Sequence, residues 1–344
     1  MSEQIKRAVI IGIDHYPAPY RLYGCAYDAR NLYDILSCHD HKNNPTKRGK
    51  PNFDCTLLTS ASDSRPVISQ HISSAISELF SKEADSVLFY FSGHSKYNRA
   101  LSKGYFIPQD IPKGDTGVSF DFLMDLANTA YPRIKSTTII IDSCNSGAMG
   151  EGYTGSMDIM PSTIGTGVTI LTSADKKDAA REDNISGGFF SSIITDGLRG
   201  SAADLLGNVT PASLYSHADH LLRASDQRPI YKANVKSFVV LRQCQPRMDV
   251  DILYDLPALF PEPDEVFPLN QTFEPDKNAY GRKQDSQPDP QNTTIFAKLQ
   301  VCNRHGLIVP VDADHMYYAA MNETGCRLTQ LGKHYRFLAE KNRL

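Results

Sequence analysis

A histidine and a cysteine each follow an apolar run of the sequence, inside a short turn that contains glycine. His94 lies in SGHS after the run 87–91, and Cys144 lies in DSCNSG after the run 138–141. An imidazole beside a thiol favours the thiolate and can later protonate a leaving amine. The two residue types therefore predict nucleophilic catalysis, with Cys144 as the nucleophile and His94 as its acid/base partner.

Gly93 adds a second element of the same chemistry. A residue without a Cβ lets the backbone approach a substrate, so the N–H groups of Gly93 and Cys144 are predicted to form an oxyanion hole. A single buried cysteine is usually a small core residue, and a single histidine usually has a structural role. The catalytic prediction depends on finding His94 and Cys144 together, both at strand ends and both with glycine nearby.

Short apolar runs alternate with helical patterns through the first two thirds of the chain. The predicted strands are 8–13, 87–91, 138–141, 168–172 and 237–241, and the predicted helices are 28–36, 67–80, 120–128, 189–198 and 211–224. This alternation indicates a mostly parallel α/β sheet flanked by helices. The turns with His94 and Cys144 should then open at the carboxyl edge of the sheet, where such sheets bind ligands.

The sequence changes character after Gln243. Residues 244–292 contain eight prolines and many polar residues, and helical patterns return at 296–304 and 329–340. We therefore predict an α/β domain at 1–243, a proline-rich linker at 244–292 and a small, mainly helical module at 293–344. The module has a faint resemblance to winged-helix modules. It is either a cap for the first domain or a module that binds a regulatory partner.

Composition bounds the partners and the compartment. The formal net charge is -3 with no basic or acidic block, which gives no reason to expect nucleic acid as a partner. The sequence has no stretch of about 18 apolar residues and no signal peptide, so we expect no membrane partner and a cytoplasmic location. The seven cysteines have no CxxC pairs and fit reduced thiols better than disulfides or a zinc site.

Three segments resemble the motifs of one peptidase family, the metacaspases. YFSGHS (90–95) and DSCNSG (142–147) resemble YFSGHG and DSCHSG, and RLYGCAYDARNL (21–32) resembles L-x-G-C-x-x-D-A. Later segments, including LTSADKKDAARE (171–182), GGFFSSIITDGLRGSA (187–202), VTPASLY (209–215) and QRP (227–229), are similar to bacterial caspase homologues of the orthocaspase type. The histidine about 50 residues before the cysteine is also a caspase feature. The resemblance covers residues 5–242 and implies the caspase-like (caspase-hemoglobinase) fold.

The resemblance also implies a function and a set of site residues. It implies a thiol protease of the peptidase C14 type that works through Cys144 and His94 in regulated proteolysis, stress, defence or cell death. The substrate-binding residues that it implies are Asp142, Asp28, Cys25, Ser173 and Asp175. Ser95 and Asn145 replace the Gly and His usual in the motifs, but neither position is the nucleophile or the base.

Substrate preference follows from Asp142, which stands where the caspase signature has Gln. In metacaspases the residue that matches Asp28 lines the same pocket, so the resemblance implies two carboxylates there. Two such carboxylates repel each other unless a cation enters. We therefore expect protein or peptide substrates with Arg or Lys before the cleaved bond (P1). The alternative is that Asp28 only caps its helix and Asp142 only braces its loop. Arg21 argues against a basic preference, because caspases hold a substrate aspartate with an arginine from this region.

Calcium is the cofactor that the resemblance raises, because many metacaspases hold it with four aspartates. The candidates here are Asp110, Asp121 and Glu151. Where the family has two consecutive aspartates, this chain has only Asp121. Calcium requires several oxygen ligands, so we expect no required cofactor and ordinary solvated carboxylates at these positions.

Two other functions stay open. One is a catalytically inactive caspase-like scaffold that binds protein partners, since fold does not fix function. The other is a different α/β enzyme with a thiol nucleophile, such as an acyl transferase or a thiol hydrolase. The order of His94 before Cys144 and the segment GCAYDA argue against this second alternative.

Overall fold

A computed structural model describes residues 4–41, 47–60, 66–98, 101, 103–111, 117–143, 163–173, 188–222 and 229–344, together with the backbone of 144 and 145. The chain divides into two units, Met1–Gln245 and Pro246–Leu344. No helix in the described ranges is long and apolar enough to cross a membrane.

The first unit is built on one mixed sheet with helices on both faces. The strands of this unit are β1 (Lys6–Ile13), β2 (Cys38–Asp40), β3 (Arg48–Pro51), β4 (Asp54–Ser60), β5 (Ala84–Asn98), β6 (Lys103–Phe106), β7 (Val118–Ser119), β8 (Ile134–Asn145), β9 (Val168–Thr172), β10 (Asn208–Val209), β11 (Ile230–Asn234) and β12 (Arg242–Gln243). Two separate two-stranded sheets, β2-β3 and β10-β12, lie outside the main sheet. Its helices are α1 (Cys25–Leu36), α2 (Ser69–Leu79), α3 (Phe120–Thr129), α4 (Phe189–Asp196), continued by a π-helical turn at Gly197–Ser201, and α5 (Pro211–Leu221).

The strand order β11-β9-β8-β5-β1-β4 runs through the main sheet. The neighbouring pairs among β9, β8, β5, β1 and β4 are parallel, whereas β11 is antiparallel to β9 and β6 is antiparallel to β5. The fold is therefore the mostly parallel, helix-flanked sheet that the sequence predicted.

Strand β5 shows why the central apolar runs are continuous. Val87, Phe89 and Phe91 pack in a buried cluster with residues of α2 and α3 on one face of the sheet. Leu88 and Tyr90 pack with residues of α1 and α4 on the other face. Both faces are covered, so every residue of the run is apolar or aromatic. The turn that the sequence predicted after residue 91 is wrong, because β5 continues through the polar residues 92–98.

The predicted strand at 237–241 is wrong, and the strand of this region is β11 at Ile230–Asn234. β11 is antiparallel at the edge of the sheet, with half-buried and exposed residues, so it needs no apolar run. In the apolar segment after it, Phe238 is 75% exposed, while Leu241 is buried and donates its N–H to the Val209 carbonyl at 2.8 Å. Apolarity alone did not separate a strand from a buried irregular segment.

The second unit combines helices with a small antiparallel sheet. Its elements are α6 (Val250–Leu259), β13 (Val266–Pro268), a 3-10 turn at Gln271–Phe273, α7 (Pro290–Arg304), β14 (Ile308–Val311), α8 (Met316–Met321), β15 (Gly325–Leu328) and α9 (Gln330–Glu340). The strand order is β13-β15-β14.

The predicted linker at 244–292 is wrong, because most of that segment belongs to the second unit. Helix α6 buries Leu253 and Leu256 and includes Pro257 within its length. Pro290 is tolerated because it opens α7, directly after the capping residue Asp289, where a missing N–H leaves no helical bond unmade. Proline content therefore predicted a linker where buried leucines stabilise a folded segment.

Candidate active site

The register of β5 and β8 brings together the two residues predicted to do chemistry. These parallel neighbours pair Phe91 with Ile141 and, three residues later, His94 with Cys144. Neighbouring strands lie about 4.8 Å apart, so the backbones of His94 and Cys144 adjoin at the carboxyl end of the sheet. The Cys144 side chain lies outside the described residues.

The imidazole of His94 is buried, with 6% of the residue exposed. Its Nε2 donates a hydrogen bond to the Tyr20 carbonyl at 2.7 Å. Within the described part of the chain, Nδ1 has no hydrogen-bond partner. Burial lowers the pKa of His94, and the Tyr20 carbonyl partly offsets this shift. A neutral imidazole with its proton on Nε2 has a lone pair on Nδ1, and such a group can act as a base.

Serines also connect β5 and β8 beside His94 and Cys144, where the sequence predicted turns but both strands continue. Ser95 Oγ donates to Ser143 Oγ at 2.9 Å, and Gly93 lies opposite Ser143 in the strand register. Ser95 is the residue that replaces a glycine of the metacaspase motif. Its hydroxyl links β5, next to His94, to β8, next to Cys144, so this departure adds a contact to the site.

Asp28 and Asp142 are buried beside this edge of the sheet, 3% and 6% exposed. Asp142 Oδ2 accepts hydrogen bonds from Ser191 N at 3.1 Å and Ser191 Oγ at 2.6 Å. Asp28 Oδ2 accepts one from Gly188 N at 2.7 Å. Gly188 is the N-cap of α4 and Ser191 lies in its first turn, where the helix dipole favours negative charge. The N-terminus of α4 therefore joins the two predicted pocket acids.

Three residues of this cluster were missed from the sequence: Gly188, Ser191 and Tyr90. A Cβ on Gly188 would lie 2.6 Å from Asp142 Oδ2 and 3.4 Å from Asp28 Oδ2, so this glycine lets both acids approach. The Tyr90 hydroxyl lies 2.6 Å from Ser191 Oγ. Burial raises the pKa of Tyr90 well above its ordinary value, and the charges of Asp142 and Asp28 add to the rise. A helix N-terminus predicted near 189 was the signal that could have found Gly188 and Ser191.

The structure describes two of the three remaining predicted substrate residues, Cys25 and Ser173. Cys25 is the first residue of α1 and is buried; its N–H donates to Asp14 Oδ1 at 2.7 Å, so Asp14, not Asp28, caps the helix. Burial raises the pKa of Asp14, and its bonds to the start of α1 partly offset this rise. Ser173 directly follows β9 and donates its N–H to the Ile141 carbonyl at 3.0 Å. Asp175 lies outside the described residues.

The calcium candidates make other contacts. Asp110 is exposed and its Oδ1 accepts from Ser69 N at 2.8 Å and Ser69 Oγ at 2.9 Å, at the start of α2. Asp121, in the first turn of α3, forms an ion pair with Lys103 at 3.1 Å. Glu151 lies outside the described residues. No group of three or more His, Cys, Asp or Glu side chains suited to a metal ion occurs in the ranges that the structure describes.

Arg21 lies away from the acid pair. Its guanidinium Nη2 is 2.5 Å from His15 Nδ1. Both residues line a cavity of about 500 Å³, whose wall also includes Tyr16, Pro66 and Gln109 but neither Asp28 nor Asp142. Arg21 therefore contacts His15 in the loop that follows β1, at a cavity whose wall does not include the two acids.

Known proteins give three points of comparison. A relative named Metacaspase-1, from Plasmodium falciparum (isolate 3D7), is 28% identical over 160 residues, which span 42% of this chain and 24% of that protein. The solved chain titled "structure of pro-sf-caspase-1" has a TM-score of 0.46 and 14% identity, covering 69% of this chain and 94% of its own. "Crystal Structure of Caspase-1 from Spodoptera frugiperda" has a TM-score of 0.47 and 14% identity, covering 71% and 92%.

A family model extends over a larger part of the chain. The model described as Caspase domain, of the peptidase C14 family, matches residues 5–239. This range includes every described residue of the site, from Asp28 to Ser191. The chain belongs to the caspase-domain family of cysteine peptidases.

Proposed function

We propose that the protein is a cysteine endopeptidase that cleaves protein or peptide substrates after arginine or lysine. The observation that carries the proposal is the register of β5 and β8, which sets His94 opposite Cys144. The buried carboxylates of Asp28 and Asp142 lie beside the same edge. Reaction type follows from the first pair of residues and substrate class from the second.

Acylation begins with transfer of the Cys144 thiol proton to the free nitrogen of His94, Nδ1. The thiolate attacks the carbonyl carbon of the substrate, and the backbone N–H groups of Gly93 and Cys144 stabilise the oxyanion that forms. The intermediate collapses as the protonated His94 gives its proton to the leaving amine. The C–N bond breaks and a thioester to Cys144 remains. His94 then takes a proton from water, whose oxygen attacks the thioester carbon. The C–S bond breaks, the acid product leaves, and His94 returns the proton to the sulfur of Cys144.

Substrate class follows from the charge beside this dyad. Two buried carboxylates near one glycine favour a cation between them, because bringing like charges together costs several kcal/mol. A guanidinium can donate to both acids in a forked geometry, and an ammonium supplies a point charge. A substrate aspartate would bring a third negative charge to Asp28 and Asp142. The guanidinium of Arg21, which could hold a substrate aspartate, contacts His15.

The experiment tests the dyad by mutation and by covalent labelling. We expect Cys144→Ala and His94→Ala to lose nearly all cleavage of arginyl fluorogenic peptides. Both variants should remain folded, because the backbone pairing of β5 with β8 does not depend on either side chain. A peptidyl-arginine chloromethyl ketone should label wild type but not Cys144→Ala. Cys55→Ala is the matched control, because burial raises the pKa of the Cys55 thiol to about 12 and keeps it protonated.

Two outcomes would contradict the proposal. Near-normal turnover in Cys144→Ala or His94→Ala would refute the dyad. A folded wild type that neither cleaves the peptides nor reacts with the label would favour the inactive scaffold instead.

A further inference from the structure

Tyr16 lies in the loop after β1 and contacts both the ring and the backbone of His94. It is 2% exposed, and its ring centroid is 4.5 Å from that of the imidazole, with the planes at 51°. Its hydroxyl accepts the His94 N–H at 3.1 Å and donates to the Ile107 carbonyl at 2.9 Å. Ile107 in turn donates its N–H to the His94 carbonyl at 3.0 Å. These bonds close a ring around the backbone of His94.

The same hydroxyl lies against Gly93. A Cβ placed on Gly93 would be 2.7 Å from Tyr16 Oη, closer than side chains approach. Tyr16 therefore occupies the space that any other residue at position 93 would need. Its hydroxyl lies against β5 at Gly93, the residue whose N–H is proposed to bind the oxyanion.

One loop thus holds the imidazole at two points. The Tyr16 ring packs against it, and the Tyr20 carbonyl accepts its Nε2–H at 2.7 Å. A rotation of the His94 imidazole would break its contacts with the Tyr16 ring and with the Tyr20 carbonyl. Nδ1 is consequently held in one direction, which matters because general acid catalysis depends on placing the proton within hydrogen-bond reach of the leaving group.

We propose that Tyr16 is a positioning residue that aims His94 at the leaving amine. The proposal rests on the proposed peptidase function and deepens it. Tyr16 does not transfer a proton itself: burial raises its pKa well above the ordinary value, so the hydroxyl stays protonated and donates to Ile107. Its effect passes through the orientation of His94.

The test compares two leaving groups in Tyr16→Phe, which keeps the ring and removes both hydrogen bonds. An anilide needs a proton on its leaving amine, whereas a thioester releases a thiolate that needs none. For a peptidyl-arginine 4-nitroanilide we expect kcat to fall by about 10-fold or more, with little change in KM, given the size of general acid effects. For the matched peptidyl-arginine thiobenzyl ester we expect a fall of about 3-fold or less.

The ratio of the two rates separates positioning from stability. A loss of folded enzyme lowers both rates equally and leaves the anilide-to-thioester ratio unchanged. Tyr231→Phe is the control, because Tyr231 is stacked on Tyr215 at 4.9 Å, away from His94. Equal losses for both substrates, or no loss for either, would overturn the positioning role. A wild type that cleaves neither substrate would instead refute the proposed peptidase function.

Discussion

The chain has two pairs of aspartates for which the sequence suggested a site, and the structure treats them differently. Asp28 and Asp142 are buried and accept hydrogen bonds from the N-terminus of α4. Asp110 is exposed at the start of α2, and Asp121, whose side chain is 50% exposed, pairs with Lys103. Burial and backbone or hydroxyl donors therefore distinguish Asp28 and Asp142 from Asp110 and Asp121.

The difference has an energetic reason. A carboxylate in water interacts weakly with its partners, so an exposed pair such as Asp121 and Lys103 contributes about 0–1 kcal/mol. A carboxylate out of water needs compensating donors or a cation, and losing one partner costs much more. Of these two pairs, we therefore expect only Asp28 and Asp142 to discriminate strongly between charged substrates.

The largest effect expected from this comparison is the loss of charge at the buried pair. We expect Asp142→Asn to lower kcat/KM for arginyl peptides by about 100-fold or more, because truncating one member of a buried charge pair costs 2–5 kcal/mol. Asp28→Asn should act in the same direction. Asp121→Asn is the matched control and should change the value by less than about 2-fold. Similar values for Asp142→Asn and Asp121→Asn would erase the distinction between the pairs.

Gly188→Ala sharpens the comparison by adding one methyl group between the acids. That methyl would lie 2.6 Å from Asp142 Oδ2, so the acid must move and the pocket narrows. We expect KM for arginyl peptides to rise by about 10-fold, with alkylation of Cys144 by iodoacetamide nearly unchanged, since that small reagent uses no side-chain pocket. An unchanged KM would show that the space at Gly188 is not part of the pocket.

The proposed preference for arginine and lysine also predicts where the protein can cut itself. Residues 145–171 contain no Lys or Arg. We therefore expect activity as a single chain, with self-cleavage confined to Lys176, Lys177, Arg181 or the proline-rich segment 244–292. Replacing all three of those basic residues by Gln should lower activity by less than about 3-fold, as judged by peptide turnover. N-terminal sequencing that finds a cut within 145–171 in active protein, absent in Cys144→Ala, would contradict this.

The smallest effect is expected from calcium. Asp121 already has Lys103 as a partner, and a cluster with a single aspartate at this position lacks one oxygen ligand. Adding millimolar calcium should change peptide turnover by less than about 2-fold. A large, saturable stimulation that Asp121→Ala removes would show that the exposed aspartates do form a site.

The sequence predicted the edge of the sheet better than the contacts around it. Val87–Phe91 and Thr138–Ile141 are buried on both faces, and these continuous apolar runs located the polar segments that contain His94 and Cys144. Those segments were predicted as turns, but they continue the strands β5 and β8. The contacts of Asp142 with Ser191 were not predictable, because they join residues 49 apart through backbone and hydroxyl groups. Hydrogen bonds of this kind leave no spacing pattern in a sequence.

Other errors had the same origin. Tyr16 and Tyr20 act through a hydroxyl and a carbonyl that contact His94 some 74 to 78 residues away. The sequence offered Asp28 as a possible helix cap, but the carboxylate of Asp14 accepts the hydrogen bonds of the first N–H groups of α1. Pro257 suggested an open linker, but it lies in helix α6, whose Leu253 and Leu256 are buried. In each case a tertiary contact outweighed a local propensity.

The central claim is tested most directly by kcat/KM for three matched fluorogenic peptides that differ only in Arg, Lys or Asp before the cleaved bond. Wild type should cleave the Arg and Lys peptides at least about 1000-fold better than the Asp peptide, since a third negative charge costs several kcal/mol. Cys144→Ala measured beside it should cleave none of the three. A wild type that prefers the Asp peptide, or that cleaves all three alike, would contradict the account.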